Sequence, residues 1–120
     1  MELITLVIKI IVPAGILNVW LLRRSKATPY RGGQATNLKE EFRTYGLTDL
    51  VYYLVGALKI GAALAILAGF ALPVLTKVGA GILVVLMAGA ILMHLKVKDS
   101  AKKFLPATIM LLLSIWLVFA

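Results

Sequence analysis

The sequence predicts an all-α protein, a four-transmembrane-helix antiparallel bundle with a short interfacial amphipathic helix between spans one and two. Three observations carry this expectation. The 120 residues are 62% hydrophobic, and a mean hydropathy of +1.00 lies far above that of soluble domains. Four apolar stretches are each long enough to cross a bilayer. Basic residues gather between them: Arg23, Arg24, Lys26, Arg31, Lys39 and Arg43 in the first loop, Lys77 in the second, and Lys96, Lys98, Lys102 and Lys103 in the third. A net charge of +8 would otherwise suggest nucleic acid, but topology explains this distribution better. The chain length permits one bundle, residues 1–120, and no second domain.

The first span is expected at about 3–22. Only Met1 and Glu2 precede its apolar run, which lacks the basic start of a signal peptide, so the segment is expected to be retained. Pro13 should kink it and free a carbonyl. Lys9 is shallow enough to snorkel. Trp20 reads as an interfacial anchor, and Asn18 as an interhelical hydrogen-bonding residue or a ligand contact.

Arg23 to Asp49 is the one sizeable hydrophilic segment, and its first half, rich in Pro and Gly, should be irregular. A short helix follows at about 38–45. Asn37 is a credible N-cap with Glu40 three residues on, and Gly46 is a C-terminal stop. Leu38, Phe42 and Tyr45 share a face, which predicts a helix lying on the membrane surface. Glu40 and Glu41 read as a solvated face rather than a carboxylate pair.

The second span, about 50–70, organises the rest. It carries Lys59 near its middle, about 15 Å from each interface at ~1.5 Å per residue. A lysine stem reaches about 6 Å, too short to snorkel fully from there. Lysine at a helix centre costs about 3 kcal/mol, and roughly ten Leu, Ile, Val and Phe residues at about −0.45 kcal/mol each more than offset it. The helix inserts and the ammonium must find a polar site. Ala57, Gly61, Ala65 and Gly69 form a ridge of small residues suited to close helix packing. Lys59 falls on the other side, flanked by Tyr52, Gly56 and Ala63. A polar ligand cavity is one reading of that face, and a backbone carbonyl or a neighbouring protomer satisfying Lys59 is the other.

A short turn through Pro73 predicts a hairpin into the third span, about 78–95. It ends near His94, which reads as a hydrogen-bonded interfacial group or as a proton or ligand contact. With a lone histidine and no cysteine, no metal site, disulfide or thiol nucleophile is expected, and no catalytic residue is assigned. The fourth span, about 104–119, would hold Pro106 in its first turn, with Trp116 and Phe119 at its far end. The positive-inside rule places the first and third loops in the cytoplasm and both termini outside, in what is expected to be a bacterial inner membrane.

The run Phe42-Arg-Thr-Tyr-Gly46-Leu47, then Tyr53-Leu-Val-Gly56-Ala-Leu-Lys59-Ile-Gly61-Ala, then Met87 through His94 to Asp99 and the late Pro106, resembles the DoxX-like family of small four-span membrane proteins. The resemblance implies a four-helix bundle and singles out Gly56, Lys59, His94 and Asp99. Many relatives carry Glu where Lys59 stands. It also implies association with membrane redox complexes, including thiosulfate-to-quinone oxidation, or with receptor assembly. The lack of cysteine and of a cofactor motif argues against an autonomous redox enzyme. Three expectations follow: a non-enzymatic accessory or assembly partner of other membrane subunits, with homo-oligomers included; a subunit of a redox complex binding a quinone or other hydrophobic ligand beside Lys59; and a small transporter of an anionic or lipidic solute. Cation export is disfavoured, because the first span carries Lys9 and no acid.

Overall fold

A computed structural model describes residues 2–120. Five helices follow in order: α1 (Glu2–Leu22), α2 (Leu38–Thr44), α3 (Asp49–Ala68), α4 (Val74–Lys96) and α5 (Ala101–Phe119). All but α2 are long and apolar enough to cross a membrane, so the chain is an integral membrane protein. No strand occurs among the described residues.

The long helices pack as α1 on α3, α3 on α4, α4 on α5 and α5 back on α1, a closed ring elongated to 40 Å. The core holds Val12, Ile16, Ala63, Ile66, Leu83 and Leu117. The exposed large side chains, such as Leu3, Leu22, Val85, Leu92 and Leu112, point outward, as a lipid solvent requires. Helices α3 and α4 approach closely at Gly79. A Cβ built on Gly79 would stand 2.5 Å from the Ala62 carbonyl oxygen and 3.2 Å from the Ala65 Cβ, so the two backbones approach where only hydrogen fits.

Pro13 lies within α1, where its missing N–H leaves the Lys9 carbonyl without the usual helical donor. The last turn of α1, Asn18–Leu22, is π-helical, and Arg23 N–H reaches the Asn18 carbonyl at 2.9 Å. Trp20 on this widened turn is 3% exposed. The expected interfacial anchor is therefore a core residue: hydropathy locates the end of a span but not the direction in which its last turn faces.

Asn37 caps α2, its Oδ1 accepting the Glu40 N–H at 2.8 Å, and Gly46 follows at φ +83°, a left-handed stop that glycine adopts without strain. The apolar face of α2 is turned to the bundle rather than to lipid, since Leu38, Phe42 and Tyr45 are all buried. Glu41 is buried too, and the solvated carboxylate expected there is corrected by its acceptance of the Gly32 N–H at 2.8 Å. Helix α5 begins at Ala101, ahead of the expected start, because the charged Lys102 and Lys103 extend it beyond the apolar run. Pro106 is thus its sixth residue and lies in the second turn, not the first.

Candidate functional site

At the end of the bundle that carries the first and third loops, the helices enclose a cavity of about 710 Å³. Most of its wall is apolar, from Ile16, Val19, Leu86, Met87, Ala107 and Met110. Lys59, Asn18, His94, Tyr45, Glu41 and Arg31 supply the polar part. A mostly apolar hollow with a few convergent polar groups is the ordinary form of a small-molecule site.

An aromatic stack positions the wall beside Lys59. Trp20 stacks on Tyr52 at 5.3 Å between ring centroids, and Phe42 meets Tyr52 edge-on at 5.5 Å and Trp20 at 5.9 Å. Gly56, three residues before Lys59, makes room for this stack, because a Cβ there would stand 2.6 Å from Trp20 Cζ3. The Lys59 ammonium lies 5.6 Å from the centre of a Trp20 ring. Among the described residues no acidic side chain pairs with it. A cation over the indole face gains about 0.5–2 kcal/mol, which holds the ammonium but leaves its hydrogen-bonding capacity unused.

Another part of the site is a hydrogen-bonded chain. His94 Nδ1 lies 2.7 Å from Asp99 Oδ2, and the Tyr45 hydroxyl lies 3.2 Å from His94 Nε2. With Nδ1 donating to the carboxylate, Nε2 accepts from Tyr45. Asp99 Oδ1 accepts the Gly33 N–H at 3.0 Å, and Lys96 Nζ donates to the Tyr45 carbonyl at 2.8 Å. Burial pushes the Tyr45 hydroxyl well above the usual phenol range, and the nearby charge of Glu41 adds to that shift. The Gly32–Gly33 turn is thus tied by two carboxylates, Glu41 from α2 and Asp99 from beyond α4. Arg31 stays buried beside it; burial lowers its pKa, and the charge of Glu41 opposes that shift.

Of the residues singled out in the sequence, Lys59, Asn18 and His94 line one cavity. Tyr52 and Gly56 stand behind it and shape the Trp20 wall. Ala63 is fully buried in the core, one turn beyond Lys59. On the ridge, Gly69 abuts Thr76 and Ala65 faces Gly79 of α4, whereas Ala57 is exposed and Gly61 has open space around its Cβ position. Sequence reasoning missed Glu41, Tyr45, Trp20 and Arg31 as cavity residues. One signal was present: Leu38, Glu41, Phe42 and Tyr45 fall on a single helical face, which puts a carboxylate inside an apolar stripe. No cluster of three potential metal-ligating side chains occurs among the described residues.

The family described as DoxX-like matches residues 30–117, well over half of the chain. The matched stretch contains α2 to α4, nearly all of α5, and Arg31, Glu41, Tyr45, Lys59, His94 and Asp99. The curated proteins and the solved structures compared with the chain give no match.

Proposed function

The chain belongs to the DoxX-like family, and we propose that it is a non-catalytic membrane subunit holding a hydrophobic ligand with an electronegative head group beside Lys59. The observation that carries this reading is the Lys59 ammonium, which borders an apolar cavity and has no acidic partner among the described residues. An ammonium offers three donors and an attractive field to a carbonyl, carboxylate or phosphate oxygen. A quinone has such an oxygen, as do other amphiphiles, and Tyr45 and His94 on the same cavity add further polar groups. The subunit part of the proposal rests on the outer face of α3, where Ala57 and Gly61 stay open in the single chain and suit a neighbouring helix. The proposed setting is a bacterial inner membrane with the first and third loops on the cytoplasmic side, as the distribution of Lys and Arg favours.

Extraction of the protein purified in mild detergent tests the reading. A hydrophobic compound should co-purify with the wild type in near-stoichiometric amount and be lost from Lys59→Met. Equal amounts of every extracted compound from the two proteins would overturn it.

A further inference from the structure

The charge of the cavity narrows the class of ligand. Arg31 borders the cavity and is buried, its Nη2 donating to the carbonyls of Arg23 at 2.7 Å and Lys26 at 3.0 Å. The guanidinium fork fits carboxylate or phosphate oxygens. Arg23, Lys59 and Lys103 also border the cavity. Among the lining residues Glu41 is the carboxylate, and it already accepts the Gly32 N–H; Asp99, behind His94, lies 3.8 Å from Lys103 Nζ. Four cations against these two carboxylates leave the site net positive around an apolar interior, and a neutral ligand would leave that field unbalanced.

We infer that the cavity takes an anionic amphiphile, its phosphate or carboxylate held by Arg31 and Lys59 and its chain laid along the seam between α1 and α5. This rests on the ligand-holding reading above and deepens it.

The seam supplies a path for the chain. Gly15 and Ile16 of α1 face Ala107 and Met110 of α5 along the cavity. The Met110 methyl fills the space where a Gly15 side chain would stand. Beyond that contact the same two helices border a second groove of about 820 Å³, with Leu6, Lys9, Leu112 and Ile115 on its walls. Met110 is unbranched and flexible, so it can swing aside where a β-branched residue could not. Glycine at position 15 keeps the opposite wall flat.

Trp20 reads out occupancy, because bromine on a bound alkyl chain quenches an adjacent indole. The measurement uses the full chain carrying Trp116→Phe, in detergent at neutral pH. The probes are dibrominated stearyl phosphate, the matching dibrominated stearyl alcohol and dibrominated phosphatidylglycerol. The phosphate should quench Trp20 saturably at about tenfold lower concentration than the alcohol, equivalent to about 1.4 kcal/mol. Arg31→Gln and Lys59→Gln should each reduce that preference severalfold, with helical content unchanged. Quenching by phosphatidylglycerol in place of the alkyl phosphate supports the same anion site and assigns its head to a membrane lipid. Saturable quenching with no preference for phosphate over alcohol overturns the inference and leaves the ligand-holding reading intact. Full preference retained in a folded Lys59→Gln overturns it as well, even if Arg31→Gln fails to fold. Absence of saturable quenching by all three probes overturns the ligand-holding reading itself.

Discussion

His94 Nδ1 stands 2.7 Å from Asp99 Oδ2, joining the last turn of α4 to the loop that follows it, with both side chains nearly buried. The same carboxylate accepts the Gly33 N–H from a loop 66 residues earlier in the chain. Asp99→Ala therefore leaves two buried donors without acceptors at once. It should cost about 2–4 kcal/mol, taking about 1–2 kcal/mol for each orphaned group. A double-mutant cycle with His94→Phe, read by denaturation in mixed micelles, should give a coupling of about 1–3 kcal/mol. A coupling near zero would show that the pair is not formed.

The hydroxyl of Tyr45 should ionise only well above the usual phenol range. Its folded pKa is raised above the ordinary value of about 10, so the neutral phenol contributes stability that is fully present below that pH. The contribution is lost as pH rises through the folded value, not as pH falls. Phenolate absorbance followed to high pH should show one late group, and Tyr45→Phe should remove it. The variant should also cost about 1 kcal/mol through the lost bond to His94.

Two glycines on facing helices should respond in opposite ways. Gly79→Ala forces a methyl against the Ala62 carbonyl oxygen, which belongs to backbone and cannot step aside. About 1–3 kcal/mol of destabilisation is expected. Gly61→Ala meets nothing within 4 Å and should be neutral or up to about 1 kcal/mol stabilising through helix propensity. Thermal unfolding of the two variants in one detergent decides the matter. A large loss from Gly61→Ala would instead show that this face is covered by a partner under the assay conditions.

Lys59→Met replaces a charged group with an apolar one of similar length. The fold should persist with equal or greater stability, because a charge within the membrane span is removed. Trp20 fluorescence should change, since the cation 5.6 Å from a ring of that indole is gone. A collapse of helical content would show instead that the ammonium is a structural keystone.

The four spans and the depth of Lys59 along α3 were legible because hydropathy and depth depend on composition and spacing alone. Lys59 could be placed on an interior face from helical projection, since the opposite side of α3 carries the small residues. The direction of Trp20 was not legible, because the π-helical turn at Asn18–Leu22 changes the phase of the final turn. Nor was the burial of Arg31, whose partners are backbone carbonyls such as that of Arg23 and carry no side-chain signature; Glu41 left only its place in the apolar stripe of α2, and its partner is the Gly32 N–H. The Tyr45–His94 contact bridges 49 residues, and spacing along one helix says nothing about it.

The two-carboxylate tie on the Gly32–Gly33 turn has a consequence for biogenesis. Glu41 is made soon after the turn, but Asp99 emerges only once α3 and α4 have been synthesised. Half of the fastening is local, and the other half waits for the second hairpin. Until Asp99 is made, the Gly33 N–H has only water to donate to, so the turn is half fastened while α3 and α4 are being laid down.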